Sequence, residues 1–282
     1  MEPPPPRPWQ RFLAGSVSGA ALTLVGHPLD TLRVRLQVGG GAGGLPAAVR
    51  ALNAEGLLRG WYRGFLPPFV LTGCVNTVLW GVQFSTVDAL KQRGAGSDTT
   101  RAMAAAVPAS LASALIVAPM ELLKTRQQTQ GGHQPVFTLL RGIVQREGAA
   151  GAFRGAGVVV SVRLLGGWGY FGGNQISLQF LESIAPSRGS SAARVRNTLL
   201  AGGFAGICYW SLAMPLDTVK TLVMASAGAH AHGAGAAEVA RSVWRSGGPR
   251  ALYKGFSAAI LRAFPANAAA FTAFDLTMRA LQ

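Results

Sequence analysis

Six stretches of the chain are apolar almost throughout, at roughly 10–37, 66–93, 101–130, 156–183, 193–225 and 256–281. An α-helix needs about 20 such residues to cross the hydrocarbon of a bilayer, so the pattern predicts six spanning helices in three pairs. A polar, basic connection joins the two helices of each pair. It contains a shorter amphipathic segment, at 45–55, 136–147 and 235–246. These segments are too short to span and are predicted as helices lying at the interface. Glycines four apart, Gly15 with Gly19 and Gly202 with Gly206, have the spacing that lets helix backbones approach closely in lipid.

The three pairs are copies of one another. HPLDTLRVRLQ starts at His27, APMELLKTRQQ at Ala118 and MPLDTVKTLVM at Met214. Pro28, Pro119 and Pro215 stand 91 and 96 residues apart, each followed two places on by an acid and five places on by a base. An aromatic-base-glycine signature trails each copy, ending at Gly64, Gly155 and Gly255; Glu55-Gly56 and Glu147-Gly148 precede the first two, and Gly247-Gly248 the third. The chain therefore divides into a Pro-rich tail (1–8) and repeats at 9–94, 95–189 and 190–282.

Composition fits this layout. Only 13% of the 282 residues are charged and 49% are hydrophobic, yet the formal net charge is +15. With a mean hydropathy of +0.30, this is a membrane protein with basic extramembrane segments. A nucleic-acid binder of this basicity would carry more charge of both signs, so no nucleic-acid partner is expected. Five bases and one acid lie between Arg33 and Arg63, and the same again at 124–154 and 220–254. Twelve of the fifteen net charges thus sit on one side of the membrane, with both termini on the other. Cys74 and Cys208 exclude a disulfide scaffold and are expected to be buried. His230 and His232 read as a polar loop rather than a metal site, and the Gly-rich run at 39–44 lacks the Lys-Ser/Thr of a phosphate loop.

Three copies of Px[DE]xx[KR] followed by aromatic-[KR]-G resemble the mitochondrial carrier family over essentially the whole chain. The resemblance implies an all-α membrane protein of six transmembrane helices in three pseudo-symmetric repeats with short matrix-side helices. It implies a multi-pass, monomeric carrier of the mitochondrial inner membrane, no enzyme, with a central cavity of alternating access and both termini in the intermembrane space. RAFPANAAAF from Arg262 and FGGNQ from Phe171 look most like the branch carrying carnitine/acylcarnitine, ornithine and related amino acids.

Asp30, Arg33, Glu121, Lys124, Asp217 and Lys220 supply three acids and three bases at equivalent heights and can close a ring of interhelical ion pairs. By the resemblance this ring is the matrix gate, braced by Gln37 and Gln128; the third brace position holds Met224. The opposite, cytoplasmic gate keeps only Asp88, Lys91 and Asp275, too few for a ring. Arg163 and Arg262 stand mid-span, where an arginine needs a wet cavity or a partner. The resemblance places Arg262, the Val162–Arg163 pair and the stretch Val75–Asn76–Thr77 at three substrate contact points. Carriers of basic amino acids resembling this chain hold acids where Val75 and Arg163 stand, and guanidinium groups suit a carboxylate. An anionic or zwitterionic small-molecule carboxylate is therefore expected, ahead of a basic amino acid/ornithine exchanger or a basic membrane scaffold. Trp168, Tyr209, Trp210 and Asn267 are further cavity candidates, open equally to packing or the lipid interface. Gly64, Gly155 and Gly255, beside Arg63, Arg154 and Lys254, match glycines that in the family open helices binding the phosphates of structural cardiolipin; no other cofactor is expected.

Overall fold

A computed structural model describes residues 8–38, 44–94, 96–129, 134–186, 190–226 and 235–281; His230, His232 and most of the Gly-rich run lie outside them. The described residues fold into α1 (Pro8–Val38), α2 (Gly44–Glu55), a π-helical turn (Leu57–Trp61), α3 (Leu66–Gln92), α4 (Asp98–Thr129), α5 (Val136–Gly151), α6 (Ala156–Ile184), α7 (Ser191–Ala225), α8 (Ala236–Leu252) and α9 (Phe256–Ala280). Six are long, from 25 residues in α9 to 35 in α7, and match the six apolar stretches. The short α2, α5 and α8 match the three amphipathic ones.

Glycine sets the breaks in each repeat. Gly56, Gly148 and Gly248 have φ of 84°, 71° and 60°, so the helical segments end there even though α5 and α8 formally run on. The third repeat lacks the acid found before the other two but keeps the glycine, because the left-handed turn is the shared requirement. Gly64, Gly155 and Gly255 have φ of 75°, 79° and 82° and open α3, α6 and α9. Each also lies against the first long helix of another repeat (α1, α4 and α7, the odd spans, are the first of each pair; α3, α6 and α9, the even spans, the second). A Cβ on Gly64 would stand 2.9 Å from the Lys124 carbonyl, on Gly155 3.3 Å from Met224 Cε, and on Gly255 2.9 Å from Arg33 Cγ.

The repeats join in a closed ring, with the most extensive helix contacts at α3–α4, α6–α7 and α9–α1. Gln10 Nε2 donates to the Leu281 carbonyl at 2.7 Å, which brings the two ends of the described chain together. The tightest approach between long helices is not at the expected glycines: Gly15 and Gly202 have open space where a Cβ would be. It is on α6, where Gly166 lies against the Tyr209 ring, and a Cβ on Gly169 or Gly173 would stand 2.8 Å from the Cys208 carbonyl or 2.7 Å from its Sγ. Leu139 and Ile143 of α5 are buried with Leu122, Leu123 and Met224, while Leu52 of α2 is buried with Leu32 and Ala258. The amphipathic helices are thus pinned by their apolar faces to the ends of the odd helices.

Hydropathy alone does not report all six spans, and one expectation changes, that both cysteines are buried. By hydropathy alone, α3, Met103–Thr129 of α4 and Arg196–Ala225 of α7 are apolar enough to cross a membrane, and α6 qualifies only together with α5, from which it bends by 74°. Among the described residues α1 and α9 are not in that set; α1 carries Asp30, Arg33 and Arg35 toward its C-terminal end, and α9 carries Arg262 and Arg279. Cys74 is exposed, on a long apolar helix whose outer face accepts a small thiol, whereas Cys208 is half-buried with its Sγ against Gly173 between α6 and α7.

Candidate functional site

Helices α1, α4 and α7 run through Pro28, Pro119 and Pro215 and bring their charged residues together. Lys124 Nζ lies 3.0 Å from Asp30 Oδ2, Lys220 Nζ 2.9 Å from Glu121 Oε2, and Arg33 Nη2 3.4 Å from Asp217 Oδ2. Each base pairs with an acid of a different repeat, so the three pairs close a ring. Two cross-links tighten it. Lys220 Nζ is also 2.9 Å from Asp217 Oδ1, and Arg262 Nε is 3.1 Å from Asp30 Oδ1. Breaking a buried pair strands an uncompensated charge, which costs about 3–5 kcal/mol.

Beneath the ring, Gln37 Nε2 donates to Asp217 Oδ2 at 3.1 Å and to Thr218 Oγ1 at 3.3 Å. Gln128 Nε2 donates to Thr31 Oγ1 at 2.9 Å. Those threonines in turn donate to the turns that precede the even helices, Thr31 to the Trp61 carbonyl at 2.9 Å and Thr218 to the Leu252 carbonyl at 2.7 Å. His27 Nε2 adds a contact of 3.0 Å to the Arg63 carbonyl, with its ring stacked on Tyr62 and edge-on to Phe65. Further out, Arg35 and Arg126 pair with Glu55 and Glu147, each at 2.7 Å. Burial alone would raise the Glu147 carboxyl, but the hydrogen bonds and charges of Arg126 and Arg154 outweigh it and hold the group below its ordinary value.

Above the ring lies a cavity of about 310 Å³, whose lining includes all six ring residues with Val162, Arg163, Tyr170, Tyr209, Trp210 and Arg262. Five bases and three acids face it. The Arg33 guanidinium sits over the Trp210 ring, 4.5 Å from its centroid, and Trp210 meets Tyr209 edge to face at 5.0 Å. Gly26 leaves room for Arg262, since a Cβ there would be 2.9 Å from Arg262 Nη1. Arg163 Nε is buried without a hydrogen-bond partner among the described residues.

This geometry is a closed polar floor under a cationic pocket, repeated three times in sequence. A family model described as mitochondrial carrier protein matches residues 4–94, 95–183 and 191–282. The chain belongs to the mitochondrial carrier family. Members of that family are transporters. Relatives of this carrier include a mitochondrial carnitine/acylcarnitine carrier-like protein of Arabidopsis thaliana, 29% identical over 97% of this chain and 98% of the relative. The mitochondrial carnitine/acylcarnitine carrier protein of Mus musculus is 30% identical over 99% and 97%. Mitochondrial magnesium exporter 1 of Drosophila melanogaster is 32% identical over 96% and 94%.

Not every expected site residue of the carrier reaches the cavity. Val75 is buried in the apolar cluster of α4 and α5. Asn76 lies near Gly19 of α1, and Thr77 is exposed, its hydroxyl donating to the Gly73 carbonyl one turn back at 3.0 Å. Neither Asn76 nor Thr77 lines the 310 Å³ cavity, so that contact point is not assembled with the other two in this conformer. Trp168 is also outside the lining. At the far end, Asp88 and Lys91 are exposed and make no ion pair among the described residues; the side chains of Asp275 and Asn267 lie outside them. Sequence reasoning missed His27, Thr31 and Thr218. The signal was there in part, since all three flank the Px[DE] motif and the two threonines accept from the brace glutamines, but the carbonyls that each also contacts carry no residue signature.

Proposed function

We propose that the protein is a solute carrier of the mitochondrial inner membrane that moves a carboxylate-bearing metabolite, anionic or zwitterionic, of the amino acid or carnitine/acylcarnitine type, by alternating access. The observation that carries this reading is the five-to-three excess of bases in the cavity, with Arg163 Nε unsatisfied. A carboxylate suits a guanidinium fork and offers that Nε an acceptor. The same excess repels a divalent cation, so the magnesium export named for one relative is not transferred to this chain.

Asp30 divides its two oxygens between Lys124 and Arg262. A substrate carboxylate that takes Arg262 removes one of the two cations on Asp30 and loosens the ring from the cavity side. The ring is thereby the matrix gate, Gln37 and Gln128 its brace, and Asp88, Lys91 and Asp275 the sparse opposite gate. The basic connections face the matrix, where they meet anionic lipid, and both termini face the intermembrane space. Cardiolipin is proposed at Gly64, Gly155 and Gly255. An apolar groove of about 990 Å³, lined by Gly64, Phe65, Val70 and Phe137 among others, suits its acyl chains.

The test is ligand-induced stabilisation of the purified protein, with carnitine, acylcarnitines, neutral and acidic amino acids, ornithine and magnesium as probes. The proposal expects stabilisation by one or more carboxylates without a net positive charge, and loss of that shift in Arg163→Ala. Stabilisation by ornithine or magnesium alone would refute it.

A further inference from the structure

The ring end closes along three seams between odd helices, and they are not alike. At α1–α7 a glutamine of one helix bonds a threonine of the next, Gln37 to Thr218; at α1–α4 the pair is Gln128 to Thr31. By repeat register the pair at α4–α7 is Met224 with Leu122. Both are fully buried in the same apolar cluster. Glutamine and threonine are replaced together, so no polar group is orphaned at this seam. What is lost is direction, because an apolar contact fixes no register between two helices.

Four residues after Leu122 on α4, Arg126 crosses the same seam. Its Nε donates to the Met224 carbonyl at 3.3 Å, and its Nη2 lies 3.5 Å from the Ser226 carbonyl and 2.7 Å from Glu147 Oε1. Helix α7 ends at Ala225, so these are carbonyls of its last turn, which lack intrahelical donors and carry the negative end of the helix dipole. One guanidinium thus joins α4, α5 and the end of α7. It is only 4% exposed, against 26% for Arg35, its counterpart in the first repeat. The counterpart in the third repeat is Leu222.

We propose that Arg126 is the positioning residue that stands in for the missing third glutamine, clamping the C-terminal carbonyls of α7 to α4 and so holding Asp217 and Lys220 in the ring. The clamp rests on the family and the geometry alone, independent of what the carrier transports.

The experiment needs no substrate. A cysteine replaces Val117, which lines the cavity above the ring, in a Cys74→Ser/Cys208→Ser background reconstituted in liposomes. Its labelling by a membrane-impermeant maleimide from the ring side reads how often the ring opens. Arg126→Gln should raise the labelling rate about tenfold, and Arg35→Gln by clearly less. Leu122→Thr/Met224→Gln rebuilds the polar pair, and in that background Arg126→Gln should have little effect. Arg126→Lys keeps a charge for Glu147 but loses the fork, and should behave like Arg126→Gln even if the rebuilt variant does not fold. A wild-type rate in Arg126→Lys, or equal effects of Arg126→Gln in both backgrounds, would overturn the proposal.

Discussion

Asp30 holds two cations at once, Lys124 on one oxygen and Arg262 on the other. Glu121 holds one, and its partner Lys220 keeps Asp217 if Glu121 is neutralised. The two acids occupy the same motif position, so sequence treats them alike; their geometry ranks them. Asp30→Asn should cost about 3–5 kcal/mol, and thermal unfolding of the purified protein should show a larger loss for it than for Glu121→Gln. Trp210 was open to a packing or lipid-interface reading, and the Arg33 guanidinium on its face places it at the ring instead. Trp210→Leu should lose about 0.5–2 kcal/mol, with Trp210→Phe in between. Glu147 gives a pH signature. Its pKa is lowered in the fold, so its stabilisation is complete above the unfolded value of about 4.3 and is lost as pH falls toward the folded value. The stability gap between the wild type and Glu147→Gln should therefore be constant near neutrality and shrink below about pH 4.5.

Among the elements, the long helices and the short amphipathic ones were legible because hydrophobic period and length report them directly. The glycine turns were legible as a motif, but their reason was not. Gly64, Gly155 and Gly255 combine a left-handed backbone with contact against an odd helix, and only the structure separates the two demands. Alanine at any of them incurs about 1–2 kcal/mol for the backbone. At Gly64 and Gly255 it also meets main-chain oxygen, 2.9 Å away on Lys124 and 3.1 Å away on Arg33. At Gly155 it meets the flexible tip of Met224 at 3.3 Å. Thermal unfolding should rank Gly64→Ala and Gly255→Ala as more damaging than Gly155→Ala. The packing stripe on α6 was not legible, since glycines four apart occur on several helices and which of them face a neighbour depends on the bundle.

For the whole molecule, the threefold repeat gave the ring, because three acids and three bases at equivalent heights pair across repeats, although Lys220 also reaches Asp217 on its own helix. Met224 at the third brace position was legible as a departure from threefold symmetry; the extra partner of Asp30 and the placement of Asn76 and Thr77 away from the cavity were not. Those follow from single residues whose neighbours lie in other repeats. In the proposed function, Arg163 and Arg262 hold a substrate carboxylate above the closed ring. Uptake into liposomes tests it most directly, measured for the probe that best stabilises the wild type. Arg163→Ala and Arg262→Ala should each abolish uptake or raise KM at least about tenfold, while both proteins remain folded. Unchanged uptake in both variants, or a wild type that carries only cations, would contradict the account.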